Sequence, residues 1–108
     1  MSRGYKFHNP EGLYFISFAT IGWVDVFTRN IYKDIVVESL QYCQKEKGLN
    51  LYAWVIMTNH IHLIAEARDG YLMQHIMRDL KKHTSKKLIK AIANNHQESR
   101  KEWMLAIF

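Results

Sequence analysis

Residues 50–66 contain two strand-length apolar segments, Asn50 to Met57 and His60 to Glu66, separated only by Thr58-Asn59. Both segments read as strands, and the polar pair between them is a turn signal. The two strands are antiparallel if the turn is that tight. A first strand is predicted at Leu13–Thr20, where Leu-Tyr-Phe-Ile-Ser-Phe-Ala-Thr is rich in aromatic and β-branched residues. Ile21 to Arg29 reads as a loop with a short extended part at Trp23–Phe27. Asn30 to Lys47 reads as a first helix, with Ile35, Val36, Leu40 and Cys43 near the helical period and Gly48 as its stop. Arg68-Asp69-Gly70 breaks the third strand. A long second helix then runs from Tyr71 to about Ala93, with Met73, Ile76, Met77, Leu80, Leu88 and Ile92 as its apolar stripe.

The order β-α-β-β-α is that of the first five elements of a ferredoxin-like unit, an α+β fold with an antiparallel sheet. Ser99-x-x-Glu102 has capping-box spacing before Trp103–Phe108, which predicts a further helix, with a strand as the alternative. The sequence stops on six apolar residues, so the chain is expected to be cut inside an element, the parent protein continuing.

At 108 residues the chain suits one domain, and 48% hydrophobic content suits a folded one. No apolar run reaches the ~18 residues of a membrane span, and the N-terminus lacks a signal h-region. Cys43 is the single cysteine, which excludes an internal disulfide and a multi-cysteine zinc site. Its place on the helical stripe makes it a core residue. A cytoplasmic location, with no membrane partner, is expected. The net charge of +5 favours an anionic partner, most plausibly nucleic acid, although many small soluble proteins are as basic.

Chemistry concentrates at His60-Ile61-His62. Side chains alternate along a strand, so both imidazoles point to one side, their Cα atoms roughly 6.5–7 Å apart. Such a pair can converge on a divalent metal or a phosphate, or be two ordinary hydrogen-bonded histidines. Two ligands are too few for a catalytic metal, and the candidate thirds, Glu66, Asp69, His8 and His75, have no diagnostic spacing. On the second helix Arg78, Lys82, Lys86 and Lys90 recur every four residues, widened by Lys81 and Lys87. This band would serve to neutralise nucleic-acid phosphates or would be an ordinary solvated face. Tyr14, Phe15, Phe18, Tyr52 and Trp54 are interleaved on the strands; exposed ones could stack bases, but the core is expected to claim most of them.

The run Tyr52-Ala53-Trp54-Val55-Ile56-Met57-Thr58-Asn59-His60-Ile61-His62-Leu63-Ile64 resembles the histidine-hydrophobic-histidine (HUH) motif of single-tyrosine transposases, above all the REP-associated tyrosine transposases of bacteria. Tyr14–Thr20 resembles the first strand of that group, Asp79–Lys87 its lysine-bearing helix, and Glu98–Trp103 is also similar. Thr58 stands where the family commonly has proline. The resemblance implies action on single-stranded DNA, beside a short hairpin, with His60 and His62 holding Mg2+ or Mn2+. It implies that a tyrosine attacks the phosphate to give a 5′-phosphotyrosine link. In the family that tyrosine lies on a helix C-terminal to everything present here, together with a third metal ligand. The chain is thus expected to be the N-terminal part of an HUH transposase catalytic domain, spanning residues 1–108, with no catalytic nucleophile of its own. A homodimer is compatible with the family. Histidine-triad nucleotide hydrolases are the rival enzyme class, but the third histidine position is Ile64. A non-catalytic ferredoxin-like nucleic-acid-binding module and a decayed transposase remnant complete the set of rival readings.

Overall fold

The computed structural model describes residues 12–107. Three strands form one antiparallel sheet: β1 (Tyr14–Ala19), β2 (Leu49–Ile56) and β3 (His60–Ala67), in the order β1-β3-β2. The helices are α1 (Asn30–Glu46), α2 (Met73–Asn94) and α3 (Lys101–Ile107). β1 and β2 both run antiparallel to β3 and hence parallel to each other, with α1 as the crossover between them. This is the split β-α-β arrangement that the element order predicted.

Alternation along β3 divides the sheet into two faces. Ile61, Leu63 and Ala65 are at most 1% exposed, whereas His60, His62, Ile64 and Glu66 are only partly buried. The helices cover the first face. Val36, Leu40 and Cys43 of α1 join Met73, Ile76, Met77, Leu80, Leu88 and Ile92 of α2 in one core with Ile16 and Phe18 of β1. Every position of the predicted α2 stripe is buried, as is Cys43, whose thiol is pushed up to about 11 by burial. Met104 of α3 enters the same core, so the tail is helical there.

The uncovered face corrects the expectation that most strand aromatics are core. Phe18 is buried and Tyr14 partly so, but Phe15, Tyr52 and Trp54 are 71%, 60% and 49% exposed. The physical reason is layering: helices cover one face of the sheet and β2 is an edge strand, so Phe15 and Tyr52 meet solvent on the open face. A bulge compounds this. The register steps from Leu51↔Ala65 to Ala53↔Ile64, leaving Tyr52 as an extra residue and reversing the parity of β2 beyond it. Val55 thereby comes to lie opposite His62.

The segment after β1 is also not extended at Trp23–Phe27. It folds into two 3-10 turns, Ile21–Trp23 and Val26–Thr28, because Val26 and Phe27 are fully buried plugs in the core rather than alternating strand residues. This segment clips the β2–β3 turn: the Phe27 N–H donates to the Thr58 carbonyl at 2.8 Å and the Thr58 hydroxyl donates to Asp25 at 2.9 Å. Gly48 ends α1 with φ +79°, a conformation that favours glycine, and a Cβ there would collide with the ring of Tyr71.

The tail is fixed by a buried carboxylate. Glu98, whose side chain is fully buried, accepts from Arg29 Nε at 2.8 Å, Arg100 Nε at 2.9 Å and the Tyr32 hydroxyl at 3.0 Å. It also accepts from the Arg100 N–H just ahead of α3. The expected capping box thus gives way to Glu98 in tying the start of the helix. No helix among the described residues is long and apolar enough to cross a membrane.

Candidate functional site

His60 and His62 rise from the open face of the central strand, opposite Ala19 and Ser17 of β1. Their ring centroids are 4.7 Å apart and the rings are perpendicular, a separation that two imidazoles sharing one ligand can adopt. The ring positions are held by different partners. His60 Nδ1 lies 2.7 Å from Asn59 Oδ1, and Asn59 Nδ2 donates to the Trp23 carbonyl at 3.3 Å. That second bond identifies Oδ1 as the acceptor, so His60 carries its proton on Nδ1 and presents an Nε2 lone pair. His62 Nδ1 is bonded to the Ser17 hydroxyl at 2.5 Å. A hydroxyl both donates and accepts, so Ser17 supports the tautomer with a free Nε2 when a metal selects it.

Two adjacent imidazoles, each bonded through Nδ1 and free at Nε2, fit a divalent cation that also takes ligands from substrate or water. Among the described residues no cluster of three or more His, Cys, Asp or Glu side chains completes the set. Glu66 shares the face but stands four residues from His62, about 13 Å along the strand, where Asn50 and the Tyr52 hydroxyl donate to it. Asp69 lies past the end of β3 and His75 on the covered side of the sheet, in α2; His8 lies outside the described residues.

The described tyrosines stand elsewhere, and Tyr5 lies outside the described residues. Tyr32 is buried against Glu98, Tyr42 stacks on His83 at 4.4 Å, and Tyr52 is bound to Glu66. Tyr71 meets Gly48, and Tyr14 stands opposite Ala65 on the covered face.

The basic band is real but does not join the histidines on one surface. α2 turns its apolar stripe to the sheet, which leaves Arg78, Lys82, Lys86, Lys87 and Lys90 exposed on the helix layer. Lys82 and Lys86 line a groove with Tyr42, Lys47, Asp79 and His83. Asp79 offsets part of the charge there, pairing with Arg78 at 3.1 Å and Lys47 at 3.7 Å. Lys81 differs: it is half-buried, its Nζ lies 5.5 Å from the Phe18 ring, and burial lowers its pKa.

Sequence reasoning passed over Ser17, Asn59 as an orienting residue, and Trp23. Ser17 becomes visible once the antiparallel register of β1 and β3 is known. Trp23 carried a local signal, the preceding Gly22 that opens a turn. Its ring is edge-on to His60 at 6.1 Å.

Comparison with known proteins gives the family and the fold. The family described as "Transposase IS200 like" matches residues 14–105. No curated protein matches the chain significantly. Among solved structures, a "putative transposase" from Deinococcus radiodurans R1 superposes with a TM-score of 0.65 at 22% identity, over 84% of this chain and 67% of that one. That likeness shows the fold. The family match spans the sheet, both long helices and most of α3, and by it the chain belongs to the IS200-like transposases.

Proposed function

We propose that His60 and His62 bind Mg2+ or Mn2+ at the open sheet face and there receive a phosphate of single-stranded DNA. The observation that carries this reading is the perpendicular imidazole pair at 4.7 Å, with the Nδ1 proton of His60 fixed by Asn59. Family membership supports it, since transposases act on DNA. When bound, the metal supplies Lewis-acid polarisation of a phosphate oxygen. Asn59 holds His60 in its ligating tautomer, Ser17 orients His62, and the face that no described helix covers leaves room for a strand. In the whole protein the reaction would be cleavage and rejoining of single-stranded DNA through a 5′-phosphotyrosine link, beside a hairpin, in the manner of the REP-associated group. This chain would be the N-terminal part of the catalytic domain. The basic α2 band would take up more distant phosphates of the same DNA.

The test is Mn2+ binding followed by paramagnetic resonance. Loss of binding in both His60→Ala and His62→Ala is expected, with Ser17→Ala weakened by roughly 10–100-fold as for orienting partners generally. Unchanged affinity in both histidine variants would sink the reading. The positions of the described tyrosines favour a further outcome: incubation of the 108-residue chain with single-stranded DNA and Mn2+ gives no covalent adduct. Such an adduct would show that a tyrosine of this chain reaches the site.

A further inference from the structure

Among the described residues, the two most exposed large apolar side chains are Phe15 (71%) and Trp23 (65%). They come from different elements, yet they flank the histidine pair. The Phe15 ring lies 5.8 Å from His62, and Trp23 lies 6.1 Å from His60 on the other side. An aromatic–imidazole–imidazole–aromatic row therefore crosses the open face. The backbone of Trp23 has φ +56°, the left-handed region that a side chain of this bulk rarely adopts. It is held there by its N–H donating to the Thr20 carbonyl at 3.1 Å and by Asn59 Nδ2 donating to its own carbonyl. The same Asn59 fixes the proton on His60. A strained backbone that keeps a large apolar ring in water is costly for folding and marks a site where the ring is needed.

From this we infer that Trp23 and Phe15 are stacking platforms for the two unpaired nucleobases on either side of the phosphate held at His60 and His62. The inference rests on the proposed metal site, and it names the bases as the second recognition element. Stacking fits because every base has a π-face, so two aromatic walls position a strand without reading its sequence. A phosphate centred on the imidazoles would place the sugars outward along the row, with one base towards each ring. The net charge of +5 suits the same polyanion.

The experiment uses the chain with Trp54→Phe and Trp103→Phe, so that Trp23 is the only fluorophore of its type. It is titrated in Mn2+ with short oligothymidylate and with an abasic strand of equal length. Quenching by oligothymidylate and little by the abasic strand is expected. Trp23→Gly suits the positive φ and should not unfold the chain; it and Phe15→Ala should each weaken oligothymidylate binding roughly five- to a hundredfold and leave the abasic affinity unchanged. Trp23→Phe should retain most of the affinity. Absence of quenching, or equal losses on both strands, would overturn the inference. So would emission that changes with protein concentration before DNA is added, which would assign the rings to a second copy of the chain. Mn2+ binding measured without DNA separates the two claims: metal binding with a silent Trp23 refutes stacking alone, and base-dependent quenching without metal binding refutes the metal site alone.

Discussion

Replacing Glu98 by Gln should lower stability sharply at neutral pH and remove a distinct acid-labile component. The carboxylate is fully buried and is bonded by two guanidinium groups, a tyrosine hydroxyl and a backbone N–H. These donors, led by Arg100, hold its carboxyl down to about 2, against an ordinary 4.5. A depressed carboxyl stabilises the folded state above its unfolded pKa, and a shift of this size corresponds to about 3 kcal/mol. That stability is complete above about pH 4.5 and is lost as pH falls through about 2. Glutamine presents an amide NH2 where one oxygen had been, so one set of donors faces a donor. Arg29 and Arg100 remain 36% and 25% exposed and regain some hydration, which keeps the expected loss near 2–3 kcal/mol, below that of a fully buried pair. For a domain of this size that is roughly 8–20 °C in Tm. Circular dichroism melts at pH 7 measure it directly. An acid titration should show the parent chain losing stability between about pH 4.5 and 2 and the variant lacking that slope. If Glu98→Gln melts within about 2 °C of the parent, or the two acid curves stay parallel, the network does not anchor the tail as argued.

Other perturbations follow from single contacts. Gly48→Ala should cost about 2 kcal/mol, from the positive φ and the overlap with the Tyr71 ring; Tyr71→Ala in the same chain should recover the overlap portion in denaturant titrations. Cys43, with its thiol near 11, should resist an aromatic disulfide reagent at pH 8 in the native protein and react promptly once denatured. Lys82→Ala with Lys86→Ala should reduce the salt dependence of single-stranded DNA binding, by about 0.7 in slope for each phosphate no longer neutralised. An unchanged slope would make that face of α2 a plain solvated one.

How much was legible can be argued from particular residues. His60 and His62 were readable as a pair because strand alternation is local: any strand places i and i+2 on one face. The α2 stripe was readable for the same kind of reason, since each of its apolar positions repeats at the helical period and each is buried. Trp23 was only partly readable: Gly22 before it signals a turn, but nothing in Ile21–Phe27 announces that Val26 and Phe27 will be taken by the core. Nor was Tyr52, since the bulge depends on pairing with β3. Glu98 looked like a neighbour of a capping box, and its true role needs Arg29 and Tyr32, which are distant in the chain.

The amino-acid sequence by itself determined the element order, the hairpin, the buried stripes and the histidine pair, because periodicity and turn chemistry act over a few residues. Only the tertiary structure decided which sheet face stays open and that Asn59 and Ser17 orient the imidazoles. It also decided that Phe15 and Trp23 flank them, while the lysines of α2 stand on another surface. Those outcomes depend on register, layer packing and long-range hydrogen bonds, which bring together side chains whose local patterns carry no information about one another.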